Sequence, residues 1–205
     1  YTTNLDKVYE AGIKFGIETD TGDITGKIIS KKDPYGIDQG LNKQLKKLEG
    51  IHFQMPPMYS AIKKNGKPLY YWVRKGVYLY RDPRRIEIKS INLLNLSEYS
   101  AIIEVACSKG TYIRTLVEQL GRSLGTFATV SSLRRLEVGS MKLTTNSCHL
   151  EDTKDNIVNT ILPCDALLTD IDKIALKPED AKKVRNGLSI DYNAHLKNKG
   201  LVRIY

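Results

Sequence analysis

Lys109, Tyr112 and Arg114 have the residue types and the spacing to do chemistry. They lie in Cys107-Ser-Lys-Gly-Thr-Tyr-Ile-Arg-Thr-Leu116, where a glycine-bearing turn joins a strand-like run to an amphipathic one. Two cations and a phenol at the end of a strand stand on rigid backbone while their side chains reach outward, as catalytic groups often do. A second candidate is the carboxylate pair Asp20 and Asp23 in Thr19-Asp-Thr-Gly-Asp-Ile-Thr-Gly26. Such a pair could serve a glycosidase or a metal loop. Three residues apart in a dense cluster of turn formers, however, the favoured use is hydrogen bonding to their own backbone, and no sugar-binding aromatic platform adjoins them.

The third candidate is a binding surface. Between Lys63 and Lys89 nine basic residues face only Asp82 and Glu87, a local surplus of +7 in a chain whose formal net charge is +9. Tyr70, Tyr71, Trp72, Tyr78 and Tyr80 are interleaved with them. Cations that neutralise phosphates beside rings that stack on bases suit RNA or DNA, where a merely solvated basic face would spread its charge more evenly. Farther on, Arg134 and Arg135 between Leu133 and Leu136 need anionic partners if buried. These could be a phosphate, or a structural carboxylate such as Glu137 or Glu104.

The elements that would position these groups follow from periodicity. Lys7 to Phe15 reads as a strand, and Lys27 to Ser30 closes a hairpin after the turn-rich cluster. Gln39 to Leu48 has helical spacing through Leu41, Leu45 and Leu48, with Gly50 beyond it. Pro56 and Pro57 force an extended path, and Pro68 opens a short helix through Lys75 that gathers Tyr71, Arg74 and Lys75. Arg85 to Leu96 and Ala101 to Cys107 form an antiparallel pair across a turn at residues 97 to 100. Ile113, Leu116, Val117, Leu120 and Leu124 mark a helix over 112 to 124. If Tyr112 and Arg114 both stand on extended backbone they share a face, and if helical they diverge. Leu150 to Leu162 reads as a helix stopped by Pro163, Pro178 to Asn186 as another, and Leu201 to Tyr205 as a last strand.

At 205 residues the chain accommodates one main domain and a small appendage. No apolar run approaches the roughly 20 residues of a membrane span. Three cysteines, Cys107, Cys148 and Cys164, and three scattered histidines make neither a metal knuckle nor a disulfide framework, which fits reduced thiols in the cytosol. Composition and spacing thus lead to a mixed α/β protein that binds nucleic acid.

Five stretches in order go further: Asp6-Lys-Val-Tyr9; Thr19 to Gly26; Gln54-Met-Pro-Pro-Met-Tyr-Ser-Ala-Ile-Lys63 with Gly66 to Tyr70; Cys107 to Leu116; and Leu133-Arg-Arg-Leu136 before Gly139. Together they resemble the TruB family of pseudouridine synthases. The resemblance implies an α+β fold with a mixed, largely antiparallel sheet and flanking helices. It places a catalytic domain over 1–164, with an RNA-gripping insertion near 58–85, and a small RNA-binding-like domain over 165–205. The activity implied is isomerisation of a T-loop uridine of tRNA, position 55, to pseudouridine, with the base flipped out of its stack. No cofactor, metal or obligate protein partner is implied, and a cytoplasmic monomer is expected.

By the same resemblance Tyr9 packs on the uracil and removes its C5 proton, Tyr112 and Leu133 line the base pocket, and Arg114 ion-pairs with the catalytic carboxylate. Lys63, Lys64, Lys67, Tyr70, Arg74, Arg85, Lys109, Arg134 and Arg135 are expected to meet RNA. The family's nucleophilic aspartate lies in a glycine-rich motif N-terminal to the strand of Tyr9. Neither Asp20 nor Asp23 fits that motif, so the chain is expected to lack the nucleophile, to be incomplete at its N-terminus and to be inactive alone. The competing expectation is a non-catalytic RNA-binding or tRNA-chaperone relative.

Overall fold

The computed structural model describes residues 2–144, 147, 161–169, 171–191 and 201–205. Contacts divide the chain into Tyr1–Leu143 and Thr144–Tyr205, whereas the sequence draws the boundary after Cys164. The helix expected over Leu150 to Leu162 lies outside the described residues except for Ile161 and Leu162, as do Cys148, His149 and His195.

The first unit is built on one six-stranded sheet. β1 (Lys7–Phe15) is followed by a hairpin of β2 (Ile17–Thr19) and β3 (Ile28–Lys31), then α1 (Leu41–Lys47) and β4 (Gly50–Gln54). A small hairpin of β5 (Lys63–Lys64) and β6 (Lys67–Pro68) leads into α2 (Leu69–Val73). β7 (Arg84–Ser97), β8 (Ser100–Cys107), α3 (Ile113–Ser123), β9 (Ala128–Val138) and β10 (Met141–Lys142) complete it. The sheet order is β10-β9-β1-β8-β7-β4, and every pairing in it is antiparallel.

Alternation explains the strands. Ala11, Ile13 and Phe15 of β1 and Ala101, Ile103, Val105 and Cys107 of β8 point to one face and are buried there. α3 covers that face with Ile113, Leu116, Val117 and Leu120, spaced i, i+3, i+4 and i+7, and α1 adds Leu41 and Leu45. Gly121 lets α3 cross close over the start of β9. A Cβ there would stand 2.5 Å from the Ala128 amide nitrogen, against backbone that cannot yield. The insertion after β4 has its own small core of Met58, Leu69 and Val73, flanked by Tyr59, Ile62, Trp72 and Leu79. That core is why so short a helix as α2 forms at all, since five residues alone cannot sustain one.

In the second unit, parallel strands β11 (Asp172–Ile174) and β12 (Val202–Ile204) pair, and α4 (Pro178–Arg185) begins with its proline in the first turn. Arg203 pairs there with Asp165 at 3.1 Å. No helix among the described residues is long and apolar enough to cross a membrane.

Candidate functional site

The site begins at the end of β8. Tyr112 keeps extended backbone (φ −100°, ψ 107°) and caps α3, whereas Arg114 already belongs to the helix, so the two side chains diverge. The cap is held by Gln54, a side chain only 2% exposed. Its amide nitrogen donates to the Tyr112 carbonyl at 3.1 Å, and its amide oxygen accepts from the Tyr112 N–H at 2.8 Å. Gln54 thus bonds both backbone groups of the residue that starts the helix, whose carbonyl also accepts the first intrahelical bond, from Leu116 N–H at 3.1 Å.

Arg114 is three times engaged. It donates to the Thr21 carbonyl at 2.9 Å, the Tyr59 carbonyl at 2.7 Å and Asp23 Oδ2 at 3.2 Å. The guanidinium therefore ties the turn after β2 and the insertion to the head of α3. Asp23 is presented to it because the turn is pinned across β9: Ile24 N–H donates to the Val130 carbonyl, and Val130 N–H to the Gly22 carbonyl. Gly22, at φ +74°, passes so close to α3 that a Cβ would meet Glu118 Oε1 at 2.5 Å.

The expected self-bonding of the turn holds for both aspartates. Asp20 accepts from Lys27 N–H, and Asp23 Oδ1 accepts from the Thr21 hydroxyl and from the Thr25 hydroxyl and N–H. Asp23 does more than that, because its second oxygen faces Arg114. Burial pushes its carboxyl upward, but the hydrogen bonds from Thr25 and Thr21 and the Arg114 charge outweigh it and hold the group below the ordinary carboxylate range. Arg114 accordingly has a carboxylate partner within these residues.

Asp23, Thr25, Arg114, Ser131, Ser132 and Leu133 line a cleft of about 360 Å³. Leu133 is 47% exposed in it although it belongs to a strand next to the core. The register is irregular there: Gly12 pairs with Ser132 but Ile13 with Val130, so β9 carries an extra residue where it borders the cleft, and Leu133, opposite Ala11, stays on the face of Val130. A cation held by a carboxylate, hydroxyls and an apolar wall can orient a planar polar ring and a developing negative charge. Among the described residues no group of three or more histidine, cysteine, aspartate or glutamate side chains is placed to hold a metal ion.

The structure brings Arg114 and Leu133 to one cleft, while Tyr9 and Tyr112 do not line it. Tyr9 lies on β1 opposite Val105 and Arg135, packs against the edge of the core, and carries the Arg135 guanidinium 5.5 Å from its ring centroid. Arg134 and Arg135 make no ion pair among the described residues, while Glu137 pairs with Lys142 and Glu104 accepts from Asn92. Lys109 donates to Asn4 Oδ1 at 2.8 Å. In the insertion, Arg74 lies over the Tyr70 ring, Lys67 over Tyr71, and Lys64 bonds the Tyr80 carbonyl. Arg85 on β7 stands opposite Phe53, whose ring is 72% exposed. Sequence reasoning missed the active part of Asp23 and the clamp of Gln54. Both stand in motifs that were legible, but their partners are far away in the chain.

Glu118, one turn beyond Arg114 on α3, gives a test of this neighbourhood. Burial pushes its carboxyl up; Arg122 opposes this, Glu18 adds to it and Arg114 opposes it. A carboxyl raised on folding binds its proton more tightly in the native state, so its ionisation costs stability as pH rises above the ordinary carboxylate range. Glu118→Gln should therefore melt higher than the parent at pH 7, and the gain should vanish below about pH 4. Thermal melts of both proteins across that range check it, and a glutamine variant that is less stable at neutral pH would contradict it.

Residues 1–113 match the model of the TruB family pseudouridylate synthase N-terminal domain, and residues 114–169 that of the tRNA pseudouridylate synthase B C-terminal domain. The tRNA pseudouridine synthase B of Bordetella avium is 48% identical over 143 residues, covering 68% of this chain and 59% of that protein. That of Dechloromonas aromatica is 36% identical over 202 residues, covering 97% of this chain and 68% of the relative. Among solved structures, a Cbf5-Nop10-Gar1 complex superposes with a TM-score of 0.63 at 22% identity, over 90% of this chain and 50% of the other, a likeness of fold alone.

Proposed function

The chain belongs to the TruB family of pseudouridylate synthases, and from that premise we propose that its residues serve the isomerisation of a tRNA uridine, position 55 in the T arm, to pseudouridine. The observation that carries this reading is the cleft lined by Leu133 and by Arg114, which is held on Asp23 and bonded to the Tyr59 carbonyl of the basic, aromatic insertion. The reaction is redox-neutral. The bond from N1 to the sugar breaks, C5 joins the same sugar carbon, C5 gives up its proton and N1 gains one.

A uridine stacked in a folded loop must leave its stack to react. Leu133 supplies a wall for the flipped ring, Tyr112 stands outside that cleft at the cap of α3 and would meet the ring from there, and Arg114 holds the negative charge of the attacking carboxylate. Tyr9 packs on the base and takes the C5 proton. With Arg135 over the Tyr9 ring, the guanidinium moves aside or stacks on the opposite face as the base enters. Lys63, Lys64, Lys67, Tyr70, Arg74, Arg85, Lys109 and Arg134 grip the RNA backbone and stack on its bases. The protein acts as a cytoplasmic monomer, and the second unit adds RNA contacts. The attacking aspartate belongs to a glycine-rich motif that neither Asp20 nor Asp23 fits.

The 205 residues should bind a tRNA transcript with an affinity that falls steeply with salt. A fluorescent base analogue at the target position should brighten on binding, and Leu133→Asp should quench that response. Tritium release from C5-labelled uridine is expected to be absent for these residues alone, and robust release would transfer the nucleophile's role to Asp23. Binding without any response of the base analogue would favour a purely RNA-binding relative.

A further inference from the structure

A second cavity, of about 130 Å³, opens at the neck of the insertion, away from the Arg114 cleft. Lys63 and Lys64 of the β5 strand, Arg81, and Arg84 at the start of β7 line it, together with Tyr80 and Asp82. Four cations thus meet one exposed carboxylate, and Asp82 forms no ion pair among the described residues. Lys64 is committed to the Tyr80 carbonyl. Arg81 donates from Nη1 to the Pro56 carbonyl at 3.2 Å, but its Nε is buried and has no hydrogen-bond partner among the described residues. A buried guanidinium N–H without an acceptor is costly, and such groups in folded proteins normally meet a partner.

We propose that this cavity is an oxyanion pocket that takes one phosphoryl group, with the cations of Arg81, Arg84 and Lys63 as its donors. The donors come from segments on both sides of the insertion, Lys63 from the one entering it and Arg81 and Arg84 from the one leaving it. A tetrahedral group with several equivalent oxygens answers that arrangement, whereas a planar carboxylate offers two oxygens in one plane. The cavity has ample room for a phosphoryl group. A phosphate here joins the segment entering the insertion, Pro56 to Lys64, to the segment leaving it, Tyr80 to Arg84, and so fixes the neck on which the small Met58–Leu69–Val73 core is carried. Resting on the RNA reading above, the phosphate is one of the nucleic-acid backbone. Free phosphate shares the chemistry and is separated by the test.

The 205-residue chain is titrated with inorganic phosphate, followed by phosphorus NMR and by melting against chloride at matched ionic strength. It is also titrated with a T-arm hairpin RNA over a range of salt. Arg81→Met and Arg84→Gln are compared with Lys47→Gln, which removes an exposed cation on α1. Phosphate should bind the parent and Lys47→Gln alike and bind each pocket variant roughly tenfold more weakly. The double pocket variant should lower the slope of log affinity against log salt by about one, the share of a single phosphate. If Arg81→Met fails to fold, Arg81→Lys keeps the charge, removes the guanidinium fork and should still bind phosphate more weakly than the parent.

Phosphate affinity unchanged in the pocket variants overturns the proposal. Phosphate binding lost with the RNA slope unchanged overturns the backbone source and leaves free phosphate. Phosphate binding by a protein that ignores RNA upholds the pocket and refutes the RNA reading, so the two failures are told apart.

Discussion

Arg114→Ala should cut turnover roughly a hundredfold to a thousandfold in an active synthase that carries these residues with the attacking aspartate, while affinity for tRNA changes little. The guanidinium lies in the cleft and makes no contact with the basic insertion surface except through the Tyr59 carbonyl. Its loss therefore falls on the charge formed during reaction more than on RNA grip. Arg114→Lys should recover little, because one ammonium cannot reach Asp23, Thr21 and Tyr59 with the fork that now spans them. A stability cost accompanies the loss. The pair is partly exposed, at 23% and 30% for the two side chains, so screening limits the ionic share and the orphaned carbonyls supply the rest, about 1–3 kcal/mol in all. Single-turnover rates and RNA affinities measured on the same variants check this. A variant that binds tRNA tenfold more weakly yet reacts at the parent rate once saturated would move Arg114 from chemistry to binding.

The difference between what could be read in the sequence and what could not is one of range. β1 was legible to its ends because Val8 to Phe15 alternates against a buried face, and α3 because its apolar residues recur at helical spacing. The hairpin of β7 and β8 followed from two such runs about a short turn. No local pattern told that β1 lies between β8 and β9, because strand neighbours far apart in sequence leave no periodic trace. The cleft shows the same limit. Arg114 and Leu133 stood in recognisable motifs, but Asp23 joined them only because Gly22 allows its turn to press on α3 and Val130 bonds that turn in place. Self-bonding of an aspartate in a turn is a local rule, and it was satisfied by one oxygen while the other did long-range work. The bare Nε of Arg81 is likewise a property of packing, since the sequence displays only one more arginine in a basic run.

Gln54 makes the second large effect. Gln54→Leu keeps the volume and removes both bonds to Tyr112, leaving its N–H unpaired beside the core, while its carbonyl keeps the bond from Leu116 N–H. At about 1–3 kcal/mol for the unpaired N–H, and with 1 kcal/mol worth roughly 2–4 °C in a domain of this size, the melting temperature should fall by about 2–12 °C. Gln54→Glu is more informative. Its carboxylate can still accept from the Tyr112 N–H, but when ionised it sets a second acceptor against the Tyr112 carbonyl in a site that is 2% exposed. Burial and that repulsion favour the protonated acid, whose O–H restores the missing donor. The variant's folded state then binds the proton more tightly than its unfolded chain. Its deficit relative to the parent is greatest at alkaline pH and closes as pH falls toward about 4.3, the value of a free glutamate. Because Tyr112 caps α3 and Arg114 is two residues on, tritium release by the active synthase should recover along the same curve as stability. A deficit that stays constant from pH 8 to pH 5 would mean that the donor half of the clamp contributes nothing and that Gln54 matters only for its shape.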